Sequence, residues 1–196
     1  GGARRVPRAA EREVGDLGPF IWQETATKFD PAVFGDTDQF DTIVGGVIAV
    51  DDLLARGLNV LGLDNFSSGN VKFIESAKEH PNFNIISCDL LDQSSVEKYL
   101  DGSDFVFHFA ANADVRFGTE HPSKDLEQNT IATFNVLEAM RKNSIQNIVF
   151  ASSAVMYGEA QIIPTPEDGP MPIQTSLYGA SKLACEAMIE AYCEGF

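Results

Sequence analysis

From Thr42 onward the chain alternates short apolar runs with longer amphipathic stretches. Runs at 42–44, 58–63, 83–87, 103–109 and 147–152 are rich in Val, Ile and Phe, and their length predicts strands. The stretches between them carry helical periods. The clearest runs from Asp125 to Lys142, where Ile131, Phe134, Leu137 and Met140 are spaced to line one face and Arg141 and Lys142 occupy the last turn. A second spans Leu177 to Cys193. Strand and helix in strict alternation predict right-handed βαβ crossovers, hence an α/β fold with a parallel sheet covered on both faces. Residues 1–41 break this pattern. The first forty hold three prolines, five basic and seven acidic residues without a sustained period, so 1–41 is expected to be an irregular segment of unassigned role, with the fold in 42–196.

A parallel sheet of this kind binds ligands beyond the C-terminal ends of its strands. The residues following the apolar runs are Gly45-Gly46, Asp64-Asn65, Cys88-Asp89-Leu90, Ala110-Ala111-Asn112 and Ser152-Ser153. All are small or polar, apart from Leu90, and all are predicted on one edge. Composition narrows the ligand. Twenty-nine acidic against 14 basic residues give a net charge of -15, which opposes binding to nucleic acid and to anionic membranes. No apolar run approaches the roughly 18 residues of a membrane span. The three cysteines, Cys88, Cys185 and Cys193, form no Cys-x-x-Cys pair, so no metal site is expected and a reduced, cytoplasmic setting is. His108, within an apolar run, reads as a buried, hydrogen-bonded imidazole in preference to a ligand.

Five positions carry candidate chemistry. Asp64 ends the second run 18 residues beyond Gly46, where a dinucleotide fold places the acid that binds the ribose 2′-OH. The bland alternative is an Asp opening a polar turn. Asp89 either reaches an adenine amino group or caps the helix starting near Ser94. Tyr178 and Lys182 lie four apart and share a helix face, where an ammonium favours a phenolate over a phenol. Ser153, 25 residues before Tyr178, ends the fifth run, where its hydroxyl could share a substrate oxygen with the tyrosine.

Leu53-Leu54-Ala55-Arg56-Gly57, Leu63-Asp64-Asn65-Phe66-Ser67-Ser68-Gly69, His108-Phe109-Ala110-Ala111-Asn112, Met156-Tyr157-Gly158-Glu159 and Tyr178-Gly179-Ala180-Ser181-Lys182 stand in the order seen in the extended short-chain dehydrogenase/reductases. From about residue 43 to its end the chain resembles the NAD-dependent epimerase/dehydratase family, nearest its UDP-glucose 4-epimerases. The resemblance implies a Rossmann-like doubly wound sheet and NAD as cofactor. It implies Ser153, Tyr178 and Lys182 as catalytic residues. Asp64 and Asn65 would hold the adenosine ribose, and Asp89 and Leu90 the adenine. Phe109, Ala110 and Ala111 would line the cofactor, Lys182 and Tyr178 would meet its nicotinamide ribose, and Asn129 would lie beside cofactor and substrate. It further implies a UDP-hexose substrate, transient oxidation at C4, and a homodimer built on the helices of Asn129 and Tyr178. Dehydratases of the family follow the catalytic Ser or Thr with an Asp-Glu pair; Ala154 and Val155 stand here, which disfavours dehydration.

Two departures qualify this expectation. The family's Gly-x-x-Gly-x-x-Gly phosphate loop is not intact: aligned without gaps, Gly46 takes its third glycine while Phe40 and Ile43 occupy the first two. Alternatively the loop is shortened to Gly45-Gly46. Asp51 and Asp52 add negative charge early in the following helix. The chain also stops at Phe196, before the smaller part that holds the nucleotide-sugar, so a partial gene product is expected. A non-catalytic NAD-binding or protein-interaction module, and a simple NAD-dependent sugar-nucleotide oxidoreductase, stand as alternatives.

Overall fold

The computed structural model describes residues 40–44, 47–68, 71–160, 162–166 and 173–196. Strands β1 (Phe40–Val44), β2 (Asn59–Asp64), β3 (Phe83–Ser87), β4 (Ser103–His108) and β5 (Asn147–Phe150) form one sheet in the order β3-β2-β1-β4-β5. Every pair is parallel. The order reverses between β1 and β4, which is the switch point of a doubly wound, Rossmann-like sheet. The apolar runs are therefore the strands. β1 begins at Phe40, two residues inside the segment expected to be irregular, and β4 and β5 stop at His108 and Phe150, short of the expected 109 and 152.

Pleating sorts the strand side chains onto two faces. On one face Leu63, Val106 and their neighbours join Val96 and Leu100 of α3 (Gln93–Leu100) and Val136, Ala139 and Met140 of α6 (Ala132–Lys142) in one buried cluster. On β2 the alternate Gly62 leaves room for Ile85, whose Cδ1 would lie 3.3 Å from an added Cβ. Helix α1 (Val47–Ala55) buries Val50, Leu53 and Leu54 and packs on β2 and on α2 (Glu75–Lys78). It ends on Gly57, whose φ of 82° is left-handed, with Leu58 N–H donating to Leu53 O at 3.2 Å. Asp92 caps α3, accepting from Ser95 N at 3.2 Å. That settles the capping question for Asp89, since the cap belongs to Asp92.

The long helix departs from expectation. After α4 (Val115–Glu120) the chain forms α5 (Ser123–Asp125), a π-helical turn over Leu126–Ile131, and then α6 without interruption. A π turn holds more residues than an α turn and shifts the helical phase of the residues after it. Leu137 and Met140 are buried as expected, but Ile131 and Phe134 are 39% and 42% exposed, and Ala132, Thr133 and Asn135 are buried instead. The last helix, α7 (Leu177–Gly195), is an uninterrupted α-helix capped by Ser176, whose Oγ accepts from Gly179 N at 2.9 Å.

Candidate active site

Strand register brings the C-terminal ends together: Val44 lies opposite both Leu63 and His108, Asp64 opposite Ser87, and His108 opposite Phe150. Asp64-Asn65, Asp89-Leu90, Phe109-Ala110-Ala111 and Ser152-Ser153 thus leave the sheet along one edge, as the sequence predicts. Gly45 and Gly46 lie outside the described residues. The elements flanking them still decide between the two alignments. Phe40 and Ile43 belong to β1, paired to Asn59 and Gly62, so they are not loop residues. Only two residues separate Val44 from Val47, the first of α1, where the intact family loop needs seven.

At the β2 end Asp64 Oδ1 accepts from Phe66 N at 2.7 Å, and Phe66 takes a φ of 54°. Asn65 Oδ1 accepts from Ser67 N at 3.0 Å. The turn reading of Asp64 is real, and it uses one carboxylate oxygen of two. Asp89 Oδ1 likewise accepts from Leu91 N at 3.0 Å. Leu90 points its side chain into the core, and its carbonyl accepts from Asn135 Nδ2 at 2.8 Å, while Asp89 is exposed.

At the β5 end the pattern Tyr178–Lys182 takes physical form. Both side chains are buried, Lys182 to 2% exposure, and Lys182 Nζ donates to Ala151 O at 2.7 Å while lying 4.6 Å from the centre of the Phe150 ring. Burial pushes its pKa below the ordinary lysine value. Ser153 caps a 3-10 turn over Ala154–Tyr157, its Oγ accepting from Val155 N at 3.3 Å. That bond leaves the hydroxyl proton available to a substrate oxygen. Helix α7 packs against this turn closely at Gly179: a Cβ there would lie 3.0 Å from Val155 O and 2.7 Å from Gln174 Oε1. Ala154 and Val155 are exposed and apolar where a dehydratase carries its acid and base.

Below the edge lies a buried polar layer of which the sequence reading saw only parts. Asn129, in the π turn, accepts on Oδ1 from Asn112 N at 2.7 Å and donates from Nδ2 to Ser181 Oγ at 2.8 Å; Ser181 donates to Tyr178 O at 2.8 Å. His108 is fully buried and pairs through Nε2 with Thr133 Oγ1 at 2.8 Å, as a hydrogen-bonded core imidazole. Burial first, and the Lys182 charge second, push His108 down to about 3, so it is neutral beneath the site. Nothing local in the sequence marks Ser181, Thr133 and Asp125 as parts of this layer, since each finds its partner on another element. The motif Tyr-Gly-Ala-Ser-Lys contains Ser181, but its partner is 52 residues away.

The profile described as "NAD dependent epimerase/dehydratase family" matches residues 44–196. The chain belongs to this family. It is 36% identical over 154 residues to the UDP-glucose 4-epimerase of Corynebacterium glutamicum, covering 77% of this chain and 44% of that protein. A solved UDP-galactose 4-epimerase superposes with a TM-score of 0.71 at 40% identity, covering 80% of this chain and 52% of that one. The UDP-glucose 4-epimerase of Thermus thermophilus, solved in complex with NAD, does so with a TM-score of 0.70 at 32% identity, over 80% and 51%. The chain thus spans about half the length of the family members it matches.

Proposed function

We propose that this chain is the cofactor-binding and catalytic part of an NAD-dependent nucleotide-sugar 4-epimerase of the UDP-glucose type. The observation that carries the reading is the buried Lys182, held by the Ala151 carbonyl just past β5 and four residues from Tyr178 on α7. The residues at the sheet edge fit the cofactor. Asp64 Oδ2 would accept from the adenosine ribose, Asp89 and Leu90 would meet the adenine, and Phe109, Ala110 and Ala111 would line the cofactor. Asn65 shapes the ribose turn, Asn129 backs the layer beneath, and Gly45-Gly46 would supply main-chain N–H groups to the pyrophosphate.

Bound NAD supplies a reversible hydride acceptor at the sugar C4. Tyr178 would take the proton of the sugar 4-OH as C4 is oxidised to the ketone. Lys182 would bring a positive charge to this end of the site, and Ser153 Oγ–H would donate to the sugar O4. Tyr178 would give that proton back to O4 as the ketone is reduced on its opposite face, which inverts the centre. Ala154 and Val155 offer no acid or base for loss of water. The ring must turn between the two hydride steps, so it has to be held through its nucleotide.

The homodimer belongs to the same proposal. Leu126, Ile131 and Phe134 are exposed on the long helix, 54%, 39% and 42%, and fit an apolar contact between copies. A cytoplasmic setting accords with three unpaired cysteines. One observation favours the non-catalytic reading: two residues replace the phosphate loop. Calorimetry with NAD separates the two. Saturable binding, weakened about tenfold or more by Asp64→Ala, supports the enzyme reading, given a charge-assisted hydrogen bond of about 1.5–3 kcal/mol. Absence of binding until the glycine loop is lengthened to its full seven residues would refute it for this chain.

A further inference from the structure

Asp125 is 1% exposed, yet no ionic partner touches it among the described residues. Its Oδ1 accepts from Asn112 Nδ2 at 2.8 Å, and its Oδ2 is buried with no hydrogen-bond partner. The carboxyl fits because position 118 is glycine: a Cβ there would overlap Oδ2 and come within 2.7 Å of Cγ. A buried carboxylate oxygen without a partner is destabilising, and a glycine inside a helix is too. The fold carries both features at one contact, so the explanation lies in what Asp125 holds.

It holds Asn112, the residue at which the β4 edge turns into α4. The side-chain amide of Asn112 is fixed by Asp125 Oδ1 and, at 3.2 Å, by Asp114 O. Its main-chain N–H thereby points at Asn129 Oδ1, 2.7 Å away. With that oxygen engaged, the Asn129 amide has one orientation, its Nδ2 toward Ser181 and through Ser181 to the Tyr178 carbonyl. The π turn contributes as well: Cys185 Sγ donates to Asn129 O at 3.4 Å, so α7 is tied to Asn129 at two points. We propose that Asp125 is a positioning residue which, through Asn112, sets the amide of Asn129 and with it the turn of α7 that carries Tyr178. Its value to catalysis rests on the function proposed above; the coupling does not.

Amide hydrogen exchange read residue by residue tests the coupling directly. The reporter is the Asn112 N–H, and the reference is Val60 N–H, which bonds to Asn82 O at 2.8 Å in the centre of the fold. Asp125→Ala is expected to speed exchange at Asn112 by about tenfold or more while Val60 stays within about twofold. Asp125→Asn keeps an acceptor at Oδ1 and is expected to restore the Asn112 rate to within about threefold of the parent. Should Asp125→Ala fail to fold, Asn112→Ala cuts the same link from the other side and is expected to give the same acceleration at residue 112. An unchanged Asn112 rate, a parallel rise at Val60, or no rescue by Asp125→Asn overturns the proposal. A parent chain that does not bind NAD would refute the proposed function and leave this test intact.

Discussion

His108 shows how a single side chain can be both inert and consequential. Its burial between Thr133 and Phe150, with the ring centre 5.5 Å from that of Phe150, lowers its pKa from 6.5 to about 3. Between those values the unfolded chain binds a proton that the folded chain refuses. Stability is therefore full above pH 6.5 and is lost as the pH falls toward 3, at about 1.4 kcal/mol per pH unit for this one site. Urea unfolding from pH 7 to pH 4 should show this slope, and His108→Gln should reduce it by about one proton. A slope unchanged by the substitution would mean that other groups govern acid unfolding. The candidate chemistry of Asp64, Tyr178 and Lys182 is legible in the sequence at this scale because each belongs to a contiguous motif, and that of Ser153 because it ends an apolar run. Asp125, Thr133 and Ser181 are not, because their meaning is a partner on another element.

Among the elements, the docking of α7 decides whether the candidate catalytic side chains meet. The helix seats on the 3-10 turn through Gly179, and the obstacle to a methyl there includes main chain, Val155 O. Gly179→Ala should cost about 1–3 kcal/mol, the usual range for overpacking, measured by denaturant unfolding. The gain in helix propensity from alanine is smaller, about 1 kcal/mol, so packing wins. Gly118→Ala should be destabilising by a similar amount through Asp125, and removal of that carboxyl in Asp125→Ala should relieve part of the loss in the double variant. Additive losses would show that the contact is not the cause. The long helix marks the limit of periodicity: a 3.6-residue period assigned Ile131 and Phe134 to the core, and the π turn moved them outward. The Asn129 side chain in this turn is satisfied from outside the helix by Asn112 and Ser181, partners that no local pattern announces.

For the whole molecule, charge and exposed apolar surface oppose each other. A net charge of -15 repels a second copy, while Leu126, Ile131 and Phe134 attract one. A homodimer built on this helix should gain population as ionic strength rises from about 0.05 to about 0.3 M, because the Debye length shortens. Light scattering across that range should show the gain, and Phe134→Glu should abolish it. A monomer at every salt concentration would exclude the helix as an interface. The family match begins at residue 44, the first strand begins at Phe40, and the connection to α1 is too short for the family's phosphate loop. The departure from the family therefore lies at the first crossover, and strand order beyond it is conventional.

The sequence by itself determined the alternation of strand and helix and the sheet edge that gathers the small and polar residues, because each follows from pattern within one segment of chain; the candidate catalytic trio came from the resemblance its motifs carry. It left two alignments open for the phosphate loop. Only the tertiary structure placed Phe40 and Ile43 in a paired strand, since register is a property of two strands. Likewise only the fold brought Asp125, Asn112, Asn129 and Ser181 into one hydrogen-bonded chain. Buried polar groups must find partners wherever the fold supplies them, and a partner 52 residues distant leaves no mark on local pattern.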